Sequence, residues 1–331
     1  MKKKHWSTIV KLLISAFIIY FLIARTKFSI TDFKNILSNL NLSLYIPALF
    51  GVVIVLGIKS YRWKRLISDE GYEYSAKKAF GAYMASDAIG IVTPGRIGEI
   101  ARLYYLREES EIGFLPAFKT IVTDRVYDFT ILGWLGLSGF LYYVKWTVAL
   151  PGIFYVLIVL GIVIAGLFIL KFILKLASQH KRLGKLPLFA FLHDALKVAL
   201  IKKSVGKWII TLIAYFAYFL FSDLILYSLG VKHSFVDVAF ILSLMSLATI
   251  LPISIAGFGT REASLVILFA QYGMNSATAV SFSLLHFSAF FLMGGLIGLV
   301  FWLLMPISLE VVKEETKKIF YLFKVESNKE L

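Results

Sequence analysis

Apolar residues recur in long runs from Thr8 to Met305, separated by short connections that hold most of the charge. A helix that crosses a bilayer needs about 20 apolar residues, with a range of about 17–25. Six segments meet or approach that length: 8–24, 43–61, 119–144, 152–174, 207–229 and 276–305. Two further apolar stretches, 79–107 and 235–272, each break at a Pro/Gly-rich point. Their second arms, near 97–106 and 262–272, are too short to span at about 1.5 Å per residue. The pattern therefore predicts two re-entrant helical hairpins, since broken backbone at membrane depth persists only when buried in protein or lining a wet cavity.

The order of these elements repeats. Span, span, hairpin, span fills residues 1–148, and the same order fills 149–306, leaving a charged tail over 307–331. The expected fold is an all-α polytopic membrane protein of six spanning helices plus two re-entrant hairpins. Because the first half starts inside and the second outside, the halves form an inverted-topology repeat, with the site expected where the two broken elements meet. The segment 186–204 has apolar positions at helical spacing and lysines at one end, the pattern of an amphipathic helix on the inner interface.

Composition strengthens the membrane assignment. Hydrophobic residues make up 59% of the 331, against about 45–50% in soluble domains, and the mean hydropathy is +0.80. The first run follows Lys2, Lys3 and Lys4 with no small-residue cleavage site after it, so it is read as a span. A net charge of +15 in a soluble protein would suggest nucleic acid. Here Lys and Arg gather in loops of one side, as the positive-inside rule requires, and no nucleic-acid partner is expected. Lys59, Arg62, Lys64 and Arg65 are assigned to the inner face, Arg62 and Trp63 as interface anchors. Both termini are then cytoplasmic, in a multi-pass protein of the cell membrane; the outer loop 25–43, with Arg25, Lys27 and Lys34, fits this least well. With no cysteine, there is no disulfide and no thiolate metal site.

An ionisable group at membrane depth costs about 2.5–3.5 kcal/mol on insertion scales, so each needs a partner or a task. Three groups stand out. In "TPGRIGEIAR", Thr93 to Arg102, Pro94 suits a first helical turn and Thr93 its cap. Arg96, Glu99 and Arg102 follow at three-residue intervals near one face, which outlines a phosphate or carboxylate site or, alternatively, a structural ladder. In "TDRVYDF", Asp124 and Asp128 share a face beside Arg125, as coupling groups or as a salt bridge to Arg96 or Arg102. In "GFGTREASL", Gly257 and Gly259 allow close ligand approach, Thr260 is the expected cap, and Arg261 with Glu262 sits at the helix start. Asp87, Asp223 and His286 stand alone, and His286 reads as a packing residue. No nucleotide loop, metalloprotease helix or nucleophile elbow is present, so no catalytic residue, metal or cofactor is expected.

"TPGRIGEIAR", "TDRVYDF" and "GFGTREASL", in this order and spacing, resemble the membrane domain of the lysylphosphatidylglycerol synthases, which also occurs alone as a flippase-like family. The resemblance covers about Trp6 to Pro306. It implies lipid translocation without synthesis, because no counterpart of the soluble aminoacyl-transfer domain follows Pro306. The expected substrate is a lipid with a phosphate head group, an anionic or aminoacylated phospholipid, moved without ATP hydrolysis by this chain. Arg96, Glu99, Arg102, Gly257, Gly259, Thr260, Arg261 and Glu262 are the expected binding residues; Asp124, Arg125 and Asp128 are coupling or salt-bridge residues. A polyprenyl-phosphate, free or sugar-linked, is the alternative cargo. A membrane transferase, a homo-oligomer, or a non-transporting partner of a lipid synthase are further readings.

Overall fold

The computed structural model describes residues 30–93, 98–144, 152–179, 187–250, 259–271 and 273–322. The predicted first span, 8–24, lies outside them, as do Pro94, Arg96 and Gly257. Among the described residues there are helices and no strands. In chain order they are α1 (Ile30–Ser38), α2 (Leu42–Asp69), α3 (Ala76–Val92), α4 (Ala101–Ser110), α5 (Phe114–Val144), α6 (Gly152–Gln179), α7 (Pro187–Leu200) and α8 (Val205–Ser228). Then come α9 (Phe235–Ile250), α10 (Thr260–Ala270), α11 (Ser276–Phe287), α12 (Met293–Leu304) and α13 (Leu309–Leu322), with a π-helical turn, Ser288–Leu292, joining α11 to α12.

Local chemistry starts several of these helices. The side chains of Asn41, Ser75 and Asn275 accept from the backbone N–H groups of Ser43, Lys78 and Thr278, pairing donors that a helix start leaves free. Four helical segments are long and apolar enough to cross a membrane: Leu42–Asp69, Val156–Gln179, Val205–Ser228 and Ser276–Leu304. They match four of the six predicted spans. Helix α5 is as long, at 31 residues, but its first half carries Lys119, Asp124, Arg125 and Asp128, and it is not one of the four.

The helices run further than expected in places. The span predicted to end at residue 61 continues to Asp69, because no glycine or proline follows until Gly71. Within the loop 25–43, residues 30–38 are helical, and the charged tail forms α13. Helix α7 lies within the predicted amphipathic segment 186–204.

The apolar interior gathers in two main groups. Trp63, Ile67, Tyr83, Ile89, Leu103, Leu106 and Ile121 pack together about α3 and α4. Tyr215, Phe219, Ile241, Leu242, Leu265, Phe269 and Phe282 pack about α9 and α10. Helix α2 lies along α8, α3 along α12, and α9 along α5. Glycines let these backbones approach: a Cβ at Gly298 of α12 would stand 2.4 Å from the Met84 carbonyl oxygen of α3. One at Gly139 of α5 would stand 2.6 Å from Phe240 Cβ of α9. Small residues at helix crossings are the membrane solution where burial gives no driving force between apolar helices.

Candidate functional site

Helices α2, α3, α4, α5 and α8 converge on a buried ion network. Its hub is Arg62, fully buried. Arg62 Nε donates to Asp124 Oδ1 at 2.8 Å, Nη2 to Asp128 Oδ1 at 2.9 Å and to the Asp124 carbonyl at 3.2 Å, and Nη1 to Thr211 Oγ1 at 2.8 Å. The second oxygen of Asp124 accepts from Arg102 Nη1 at 3.0 Å and from the Tyr83 hydroxyl at 3.1 Å. Asp128 Oδ2 accepts from Lys59 Nζ at 3.1 Å, with Arg125 Nη1 at 3.7 Å. Glu99 pairs with Arg125 and lies 3.8 Å from Arg102 Nη2. Four residues apart on α5, Asp124 and Asp128 face the same side, and that spacing lets one arginine bridge both.

With all seven groups ionised, four cations (Lys59, Arg62, Arg102, Arg125) meet three carboxylates (Glu99, Asp124, Asp128), leaving one positive charge in excess. Arg102 is 99% buried, yet its Nε and Nη2 make no hydrogen bond among the described residues. Its guanidinium instead lies 4.4 Å from the Tyr83 ring centre and 5.4 Å from that of Trp63, within cation–π range. Buried donors of this kind are usually paired, and a fork with two open donors matches an anionic oxygen pair.

The backbone around Gly98 delivers these groups. Thr93 ends α3, and its Oγ1 accepts from the Gly98 N–H at 2.8 Å. Residues 98–100 form a 3-10 turn ahead of α4, which starts at Ala101, and Thr93 bonds to the start of that turn; the first helical turn expected at Pro94 lies outside the described residues. A Cβ at Gly98 would stand 2.4 Å from the Ile89 carbonyl oxygen. The returning arm is thereby pressed against α3 and Glu99 is brought under Arg125.

The second cluster is smaller. Arg261 Nη2 meets Glu262 Oε1 at 2.6 Å, and Arg261 Nε donates to Ser283 Oγ at 2.8 Å. The Ser283 hydroxyl in turn donates to Glu262 Oε1 at 2.7 Å. The expected cap changes identity here. Gly259, at φ +86°, is the N-cap, and its N–H donates to Glu262 Oε2 at 2.7 Å, so Glu262 does the capping and Thr260 is already helical. The Arg261 guanidinium stacks 4.8 Å from the Phe287 ring centre.

The structure thus brings Glu99, Arg102, Asp124, Arg125 and Asp128 into one network, and Gly259, Arg261 and Glu262 into another. Thr260 is half-buried, and its carbonyl accepts from Ser264 Oγ at 2.7 Å. Of the salt bridges foreseen for Asp124, the one to Arg102 is present. Sequence reasoning missed Lys59, Arg62, Tyr83 and Thr211. Arg62 and Trp63 are not interface anchors: neither is exposed, and Trp63 Nε1 donates to Thr120 Oγ1 at 3.0 Å. The signal was available, since Lys59 and Arg62 sit three apart on a helix whose pattern continues past residue 61. Asp223, expected to be isolated, has His233 Nε2 at 2.6 Å from its Oδ1.

A set of long apolar helices enclosing paired charges defines a membrane protein with several apolar helices. The chain belongs to a family: residues 8–298 match the model described as the lysylphosphatidylglycerol synthase TM region. The matched part of that family is its membrane domain. The chain is also 26% identical to a UPF0104 membrane protein of Methanocaldococcus jannaschii, aligned over 96% of this chain and 100% of the relative. No solved structure matches the chain.

Proposed function

We propose that the chain is a lipid translocase that moves a lipid with an anionic phosphate head group between leaflets, without catalysis and without ATP hydrolysis of its own. The observation that carries this reading is the buried Arg102 of the network, whose Nε and Nη2 make no hydrogen bond among the described residues. A phosphate presents several acceptor oxygens and one or two negative charges, which such a fork binds in a low-dielectric site. Arg96, which lies outside the described residues two positions before Gly98, is assigned to the same head group, and Arg261 serves it from the other hairpin. Asp124, Arg125 and Asp128 hold Arg62 and Arg102 in place.

Six spans, two re-entrant hairpins and an inverted repeat complete the proposal. The packing supports it. Exchanging α2 with α8, α3 with α9, and α5 with α11–α12 turns the α3–α12 contact into the α9–α5 contact and returns the α2–α8 contact to itself. Both exchanged crossings use glycines, Gly298 in one and Gly139 in the other. Alternating access then follows from rocking one half against the other, with residues 1–148 and 149–306 as the halves and 307–331 as the tail. Both termini lie in the cytoplasm of a cell-membrane protein in this arrangement.

Reconstitution tests it. Purified chain in liposomes should move a fluorescent anionic phospholipid across the bilayer faster than protein-free liposomes, and unlabelled phospholipid should compete. Stronger competition by polyprenyl-phosphate would reassign the cargo, and equal rates with and without protein would refute translocation.

A further inference from the structure

His286 lies in α11 with 1% of its surface exposed, and neither ring nitrogen has a hydrogen-bond partner among the described residues. Its surroundings are rings: Phe290 stacked at 4.7 Å, Phe282 tilted at 5.5 Å, and Tyr218 edge-on at 5.7 Å. A neutral imidazole always has one donor and one acceptor, so both are desolvated here without compensation. Phenylalanine would fill such a box better. Such a ring would gain partners only in another arrangement of the same helices.

The neighbouring backbone supplies that arrangement. Two residues after His286, the helix passes into the π-helical turn Ser288–Leu292, closed by the Met293 N–H on the Ser288 carbonyl. Single π turns inside α-helices concentrate at functional sites, and converting one to α geometry rotates the residues on one side against the other. The charged and titratable groups near the ring come from three helices. Helix α8 brings Tyr218, and α10 brings the Arg261–Glu262 pair, which meets Ser283 one turn before His286. Helix α2 brings Tyr45, whose hydroxyl donates to the Leu285 carbonyl. Glu262 is already engaged by Arg261, Ser283 and the Gly259 N–H, so a proton arriving on His286 meets the Arg261 cation without a free carboxylate among these groups.

We propose that His286 is a proton-binding residue whose protonation opens the packing of α11 against α8 and α10 at the π turn and admits water to the ring. A charged imidazolium has two donors to satisfy and a like charge nearby, and the hydrated arrangement answers both. Protons then bind that arrangement more tightly, and acidification shifts the population toward it. The translocase reading supplies the use of this step, proton-linked movement of the outer hairpin; the opening itself requires no cargo.

The chain has no cysteine, so single reporters can be placed directly. Ala289→Cys sits three residues from His286 at a fully buried position, and Ser43→Cys provides an exposed reference for the pH dependence of the thiol itself. The purified full chain in lipid nanodiscs is labelled with a water-soluble maleimide between about pH 5 and pH 8, the range in which histidine titrates. Relative to the reference, labelling at Ala289→Cys should rise about tenfold on acidification when His286 is present. It should vary less than about twofold when His286→Phe or His286→Gln is added, since neither side chain takes up a proton in this range. If His286→Phe does not fold, His286→Gln carries the test. A flat profile with His286 present, or a rise that survives in a folded variant, overturns the proposal. Because no lipid movement is measured, a failed translocation assay and a failed labelling assay are separate results.

Discussion

The charge clusters beside α4 and α10 solve one problem in different ways. Around the first, charges from α2, the 98–100 turn, α4 and α5 interlock, with Arg62 bridging Asp124 and Asp128 and one more cation than carboxylate among the described groups. Around the second, Arg261 and Glu262 pair between adjacent residues, with a serine and a backbone N–H completing the set. A neutral pair that also caps its own helix is what holding a broken backbone in place requires. A network with more cations than carboxylates among the described groups, and with Arg102 donors left over, exceeds that requirement. It is why the proposed anion site is assigned to the α4 side and the second cluster is given a larger structural share.

The comparison can be broken first at its hubs. Arg62→Met leaves Asp124 and Asp128 buried without their bridge and should cost about 3–5 kcal/mol, as removing one partner of a buried pair does. Arg261→Met should cost less, about 1–3 kcal/mol, because Glu262 keeps the Gly259 N–H and the Ser283 hydroxyl. Thermal unfolding midpoints in one detergent would rank the two, and equal losses would erase the distinction between the hairpins. The shared architecture is tested next. Gly139→Leu and Gly298→Leu should each cost about 1–3 kcal/mol or more by overpacking, in step with each other. Gly166→Leu, where a Cβ meets nothing within 4 Å, should be nearly neutral. The smallest effect is expected at the surface: Lys78→Ala removes a largely exposed pair with Glu109 and should cost less than about 1 kcal/mol. A large loss there would mean that burial is not what separates these ion pairs.

Much of this was legible in the chain. Apolar run length gave four long helices directly, and the Pro/Gly breaks gave the short arms α4 and α10, because both follow from local spacing. Asp124 with Arg102 was legible as well, since isolated charges in apolar sequence demand partners. Arg62 was not read as a site residue, because positive residues near a span end ordinarily mark the interface. Only the tertiary approach of α5 reveals that this end is covered. The cap at Glu262 was missed for a related reason: Thr260 is the commoner capping residue, and the left-handed backbone at Gly259 shifts the helix start by one position. Helix α13 was read as a tail because its burial depends on contact with α4, including the Arg107–Glu315 pair, which no local pattern encodes.

The most direct test of the anion site is the rate of lipid movement in liposomes with Arg102→Lys. A lysine keeps the charge opposite Asp124 and loses the two open donors. With the unfolding midpoint close to that of the native chain, the rate should fall by about tenfold, the loss expected when about 1.4 kcal/mol of binding is removed. A folded Arg102→Lys chain that moves anionic lipid at the native rate would contradict the assignment.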